Sequence, residues 1–333
     1  METLPTLHDA CLARNRIARY IRETPAISAP ELAAETGAAG VHLKLECLQN
    51  TGAFKVRGAA NKILGLTDAE KRTGVITFST GNHGKAVAYV AGQAGIPATV
   101  CLSEHVAPYR AEAIRALGAE VSLKGKSQDE AEANYHELTR ERNLTPVVPF
   151  DDPMVIAGQG TIALELLAAL PETEVLLVPL SGGGLLAGIA TVAKAINPKI
   201  RTVGVSLEVS PAMLESLKAG EPVPVPERDS VAVSLLGGIG VENRYTLPLV
   251  SRYVDDHVLV SEAEIKAGMV HIFERHRLIA EGAAAVGVAA LMAGKLDVAG
   301  KRVATVLTGS SVDSAQYLEI LGEGMINKSS RST

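Results

Sequence analysis

The sequence predicts an α/β fold in two lobes, with twisted, mostly parallel sheets covered by helices. Three observations carry this. Short β-branched runs alternate with helix-period stretches along almost the whole chain, which is the pattern of βαβ crossovers. Hydrophobic residues make up 47% of the 333 residues, ample for a buried core and against a disordered chain. Aromatics reach only 3% and Trp is absent, so that core must be aliphatic and alanine-rich.

In chain order, strands are predicted at Val41–Leu45, Val75–Phe78, Ala98–Leu102, Val121–Leu123, Val175–Val178, Thr202–Val205, His257–Val260 and Val303–Leu307. Helices are predicted near Lys55–Leu66, His83–Ala94, Ala107–Leu117, Gln128–Glu141, Ile156–Leu170, Leu185–Ile196 and Glu262–Glu274. Thr67…Glu70, Ser127…Glu130 and Ser261…Glu264 have capping-box spacing, in which hydroxyl and carboxylate satisfy orphan backbone donors. The apolar run Gly282 to Gly294 is too short to span a bilayer and reads as a buried helix. The piece Glu221–Pro226 (EPVPVP) reads as an extended surface loop. With no composition break, two intertwined lobes are expected rather than two beads on a string.

Charge narrows the partners. The balance of 32 Lys+Arg and 37 Asp+Glu, net −5, contains no long single-sign block. That argues against nucleic acid or an anionic membrane, which demand clustered cations. Cys11, Cys47 and Cys101 form no CxxC pair and read as free thiols of a reducing compartment. The N-terminal stretch has no apolar signal-peptide core. A soluble, cytoplasmic protein is the expectation.

Several common chemistries lack a motif. Gly125-Lys126-Ser127 ends like a phosphate-binding P-loop, but Glu120 stands where its first glycine belongs. No GxGxxG follows the first strand, no GxSxG elbow occurs, and the histidines show no HExxH or paired ligand spacing.

Three segments stand out. Ser181-Gly182-Gly183-Gly184-Leu185 follows a strand and opens a helix, where bare N–H groups and the helix dipole favour an anion such as phosphate. A tight turn without a ligand satisfies the same pattern. Thr51-Gly52-Ala53-Phe54-Lys55-Val56-Arg57-Gly58-Ala59 places Lys55 just after a glycine turn, although a solvated surface lysine is the commonest fate of this residue. Ser79-Thr80-Gly81-Asn82-His83-Gly84 again follows a strand and precedes a helix, suiting either a bound carboxylate or a plain N-capped turn.

Taken together, LKLECLQNTGAFKVRGA, STGNHGKAVAYVA, VPLSGGGLLAGIA and LTGSSVD resemble, in order and spacing, the fold type II pyridoxal-phosphate enzymes of the tryptophan-synthase-β kind. The serine/threonine dehydratase and serine racemase group is the nearest, and the resemblance runs from about Arg16 to Gly322. It implies pyridoxal 5′-phosphate as cofactor, Lys55 as the Schiff-base lysine and catalytic base, and Phe54 beside the cofactor ring. Asn82 would bond the ring hydroxyl, and Thr308 would meet the pyridine nitrogen. Ser181, Gly182, Gly183, Gly184 and Leu185 would hold the phosphate. Ser79, Thr80, Gly81, Asn82 and His83 would receive the substrate carboxylate. Glu281 falls at a pocket-edge glutamate, with no role assigned.

The resemblance also implies a large cofactor-binding domain of residues 1–48 and 147–325, a small domain of residues 49–146, a flexible tail at 326–333, and a homodimer. Departures from the family pattern narrow the activity. Thr80 replaces the second Ser of Ser-Ser-Gly-Asn-His, the acid/base of mammalian-type serine racemases, and its methyl crowds that face. Ser206, Ser210 and Ala212 stand at the divalent-metal positions of some relatives, so no metal is expected. GVSLEVSPAMLESL, SLLGGIGVENRYTL and IAEGAAAVGVAAL resemble the hydroxyectoine-utilisation dehydratases, implying a hydroxylated 2,4-diaminobutyrate as substrate. The expected reaction is β-elimination of a small 3-hydroxy L-amino acid to a 2-oxo acid and ammonia. The alternatives are a threonine/serine or 3-hydroxyaspartate dehydratase, and a serine racemase-like isomerase.

Overall fold

A computed structural model describes residues 3–79 and 81–329. Strands run at β1 (Ala26–Ser28), β2 (Gly40–Lys44), β3 (Val75–Phe78), β4 (Ala98–Leu102), β5 (Glu120–Leu123), β6 (Thr145–Pro146), β7 (Val175–Pro179), β8 (Arg201–Leu207), β9 (Asp256–Val260) and β10 (Arg302–Val306). Among the described residues they form two sheets, a six-stranded one ordered β1-β2-β10-β7-β8-β9 and a four-stranded one ordered β5-β4-β3-β6. Among the described residues only β1 runs antiparallel, against β2, and the other neighbouring strands are parallel. Parallel sheets need helices on both faces, and strands such as β4 and β7 are accordingly buried at every position.

The covering helices are α1 (Leu7–Ile17), α2 (Pro30–Thr36), α3 (Lys55–Leu64), α4 (Asp68–Thr73), α5 (Asn82–Ala94), α6 (Pro108–Arg115), α7 (Gln128–Glu141), α8 (Pro153–Ala169), α9 (Gly184–Ile196), α10 (Ala212–Ala219), α11 (Thr246–Tyr253), α12 (Glu262–His276), α13 (Gly282–Met292) and α14 (Ser314–Ser329). The predicted apolar run is α13, whose residues from Gly282 to Leu291 are all buried. Among the described residues no helix is long and apolar enough to cross a membrane.

Three details differ from the sequence expectation. At the start of α7, Ser127 accepts from the Glu130 N–H, but the Glu130 carboxylate turns to the N–H of Lys126 at 2.6 Å, so the box is only half made. A reciprocal box that was not predicted opens α1, with Asp9 in the place of the usual Glu or Gln. Helix α14 runs to Ser329, into the tail expected to be flexible; residues 330–333 lie outside the described residues.

Candidate active site

Lys55 is the first residue of α3, and two backbone contacts set its place. The Phe54 N–H donates to the Thr308 carbonyl at 3.0 Å, and the Ser310 N–H to the Gly52 carbonyl at 2.9 Å. An antiparallel bridge between Ala53 and Gly309 lies between them. Lys55 and Thr308, 253 positions apart by their residue numbers, thus belong to two segments laced edge to edge. The Thr308 side chain is buried and, among the described residues, its Oγ1 has no hydrogen-bond partner. Phe54 is half-buried against the aliphatic core, its ring centroid 5.2 Å from Lys55 Nζ.

The Lys55 amine donates to the Pro149 carbonyl at 2.8 Å. Burial pushes it down to about 8, with the carboxylate of Glu281 pulling weakly the other way. Desolvation disfavours the ammonium, and a carbonyl partner stabilises it less than a carboxylate would. A substantial neutral fraction near physiological pH is what a nucleophile or a general base requires.

The segment 147–152 organises the rest. Val147 accepts from His83 Nε2 at 2.8 Å. Phe150 packs on the glycine loop so closely that a β-carbon on Gly182 would lie 2.5 Å from its ring, and one on Gly184 2.9 Å from its Cα. Asp151 accepts from the backbone N–H groups of Arg244, Tyr245 and Thr246 at 2.7–2.9 Å. Asp152 caps α8 and pairs with Lys62 at 2.6 Å.

The glycine loop lies between β7 and α9. Gly183 holds a left-handed φ of +87°, and a β-carbon there would meet Met213 at 2.7 Å and Thr246 at 3.0 Å. Packing alone therefore demands glycine at 182, 183 and 184. Packing leaves the open N-terminus of α9 unexplained, because among the described residues no side chain caps it. The Leu185 side chain is buried in the core, so its backbone N–H is what it can offer a phosphate.

Helix α5 starts at Asn82 after Gly81, again without a side-chain cap among the described residues. Ser79 Oγ accepts from the Gly81 N–H at 3.3 Å. Thr80 lies outside the described residues. Asn82 Nδ2 donates to both oxygens of Glu281, at 2.9 and 3.1 Å, and among the described residues its buried Oδ1 has no partner. An unpartnered buried carbonyl suits a ligand hydroxyl.

His83 departs from the carboxylate-binding expectation. Its burial, with Lys55 nearby, pushes it down to about 3, against the bond to Val147. A neutral ring that donates through Nε2 to a carbonyl keeps a bare acceptor at Nδ1. The ring has no proton to give a carboxylate; the backbone N–H of His83 could still serve one.

Sequence reasoning left Glu281 without a role. It precedes α13, fully enclosed, and accepts from Asn82, from Ser234 Oγ at 3.2 Å and from the Ser311 N–H at 3.1 Å. Burial raises its pKa even against these donors. Lys85, one turn into α5, donates to Ser311 Oγ at 3.0 Å. At the positions that align with the metal ligands of some relatives, Ser206 is buried in β8, Ser210 is bonded to backbone at Pro226 and Arg228, and Ala212 has no side-chain donor atom.

Known proteins match this architecture throughout. The family model for pyridoxal-phosphate-dependent enzymes matches residues 17–309. A Sinorhizobium fredii protein named for a threonine dehydratase is 45% identical over 309 residues, 93% of each chain. The L-threonine ammonia-lyase of Thermotoga maritima is 39% identical over 323 residues, 96% of this chain and 79% of that one. Among solved structures, maize serine racemase superposes with a TM-score of 0.90 at 30% identity, covering 98% of this chain and 99% of its own.

Proposed function

The chain belongs to the pyridoxal-phosphate-dependent enzymes, and from that premise we propose that it eliminates the β-hydroxyl of a small 3-hydroxy L-amino acid, releasing a 2-oxo acid and ammonia. It is a fold type II lyase of the threonine dehydratase-like kind. The observation that carries the reading is Lys55, a desolvated amine resting on a backbone carbonyl beside buried polar atoms that lack a protein partner.

The residues present fit the cofactor. Asn82 Oδ1 and Thr308 Oγ1 are buried and unpartnered among the described residues, matching a ring hydroxyl and a ring nitrogen. The uncapped start of α9 after Gly182 and Gly183 suits a phosphate dianion. Lys55, Phe54, Asn82, Thr308 and the loop from Ser181 to Leu185 would hold it. When bound, pyridoxal phosphate supplies a carbonyl carbon that amines attack and a ring that delocalises the electrons of a broken Cα–H bond.

The chain's own contribution is placement and proton transfer. The open N-terminus of α5, at Gly81 to His83, orients the substrate carboxylate. Lys55 Nζ removes the Cα proton as general base. The proton taken up by Lys55 Nζ passes to the β-hydroxyl, which leaves Cβ as water, and the released enamine takes up water to give 2-oxo acid and ammonia. Thr308, a neutral hydroxyl, would meet the ring nitrogen without fixing a full positive charge there, as an Asp would.

Threonine or serine is the substrate supported by relatives named for threonine dehydration and ammonia release. A hydroxylated 2,4-diaminobutyrate is supported by the three segments that resemble hydroxyectoine-utilisation dehydratases. A racemase reading is supported by the maize neighbour and opposed by the sequence, which has Thr80 in place of the second Ser of the racemase motif Ser-Ser-Gly-Asn-His. The test compares kcat/KM for threonine, serine, 3-hydroxyaspartate and the hydroxylated diamino acid. D-serine forming from L-serine faster than pyruvate would replace the lyase reading with the isomerase.

A further inference from the structure

Arg57, two residues beyond Lys55, has a fully buried guanidinium. Helix geometry turns it about 200° around the axis of α3 from Lys55. Its Nε and Nη2 donate to Glu46 Oε2 and Oε1, both at 2.8 Å. Its Nη1 and Nη2 donate to Glu165 Oε1 and Oε2 at 2.5 and 2.8 Å. Lys44 completes the group, donating to Glu165 Oε2 at 2.5 Å and to the Thr24 carbonyl at 2.6 Å. Two cations and two carboxylates, drawn from β2, the turn after it, α3 and α8, form one neutral buried cluster.

The cluster is costly for stability alone. The first turn of α3 carries Lys55 and Arg57 and no acidic residue, the unfavourable sign for a helix N-terminus. Desolvating four charges roughly cancels their mutual attraction, whereas forked guanidinium–carboxylate pairs fix geometry strongly. Backbone packing fixes the same place. A β-carbon on Gly58 would lie 2.4 Å from Gln159 Nε2, and one on Gly158 2.6 Å from the Arg57 carbonyl oxygen. Helices α3 and α8 therefore touch at Arg57 and Gly58 against Gly158 and Gln159, about two turns of α8 before Glu165, whose side chain reaches the Arg57 guanidinium.

We infer that Arg57 is a positioning residue for Lys55: gripped by Glu46 and Glu165, it sets the rotation and depth of the first turn of α3, and with them the reach of the Lys55 amine. This rests on Lys55 as the cofactor lysine.

The test uses the full-length chain freed of cofactor and two ligands. Pyridoxal phosphate is trapped on the amine with borohydride; pyridoxine phosphate, an alcohol, fills the same site but cannot condense with an amine. The variants are Arg57→Lys, which keeps the charge but not the fork, and the pair Arg57→Met with Glu165→Gln. The pair removes one charge of each sign, so Lys44 and Glu46 still balance and no lone buried charge unfolds the chain. In both, the trapping rate should fall about tenfold while pyridoxine phosphate affinity stays within about twofold of wild type. Parallel loss of both ligands marks a merely structural role and overturns the inference, as does an unchanged trapping rate. Trapping that persists in Lys55→Ala would instead overturn the assignment of Lys55.

Discussion

Lys55 Nζ and the carbonyl oxygen of Pro149 meet at 2.8 Å, so the amine rests on a neutral backbone group and not on a carboxylate. Covalent capture of pyridoxal phosphate should follow from this. Borohydride should fix the cofactor to the wild-type chain, with mass spectrometry locating the adduct on Lys55, and Lys55→Ala should abolish it. An adduct on any other lysine contradicts the site.

The pH profile of that capture has a defined sign. Only the neutral amine attacks, and its pKa is lowered to about 8. The trapping rate should rise about fivefold from pH 7 to pH 8 and level off above about pH 9. A rise of about tenfold per pH unit that continues past pH 9 would mean the amine keeps its ordinary 10.5 and is not desolvated. Because the unfolded lysine keeps its proton up to its ordinary 10.5, the cofactor-free fold should also gain stability as pH rises from about 8 toward that value.

Glu281 should matter for stability before it matters for turnover. Glu281→Ala strands the buried amide of Asn82, a desolvated donor that costs about 1–3 kcal/mol when unpaired. It also releases the donors of exposed Ser234 and half-buried Ser311, which water can reach. We expect a loss of about 1–3 kcal/mol in urea unfolding, and a smaller loss for Glu281→Gln, which keeps a side-chain acceptor. Equal losses in the two variants would show that the acceptor is not what counts.

Gly182→Ala should destabilise the chain by about 1–3 kcal/mol through overpacking, since the new methyl meets the rigid Phe150 ring at 2.5 Å. Gly220→Ala makes a useful contrast. Its φ of +79° carries backbone strain, yet no atom lies within 4 Å of the added carbon. Only the first substitution should also weaken pyridoxal-phosphate binding, measured by equilibrium dialysis.

Turnover should need no divalent cation. Ser210 Oγ is committed to Pro226 and Arg228, and Ser206 and Ala212 carry no carboxylate, so a hard cation would find no charged ligand at these three positions. Chelation should leave both rate and thermal midpoint unchanged. A loss restored by Mg²⁺ or Ca²⁺ would show that the segment aligns differently.

The alternation of strands and helices was legible because strands such as β7, buried at every position, leave unbroken apolar runs. Strands β1 and β6, of three and two residues, are too short for any periodicity to show. At the site, Lys55, Asn82 and the glycine loop were conspicuous by residue type. Segment 147–152 was not, because Val147 and Pro149 act through backbone carbonyls, which any residue supplies. The neutral state of His83 was hidden for a related reason: burial sets it, and burial is a property of the assembled fold.

Strand β2 lies between β1 and β10, and its residue Val41 pairs with Val303, about 260 positions later. At roughly 5–20 residues per second, a ribosome takes on the order of tens of seconds to make the intervening chain. Throughout that time one edge of β2 is bare, whereas all four strands of the smaller sheet, from Val75 to Pro146, are made well before β10 emerges. Birth order thus separates the two sheets. Ribosome-bound chains stalled near residue 290 should be cleaved readily by protease around residues 26–44 and resist it between 75 and 146.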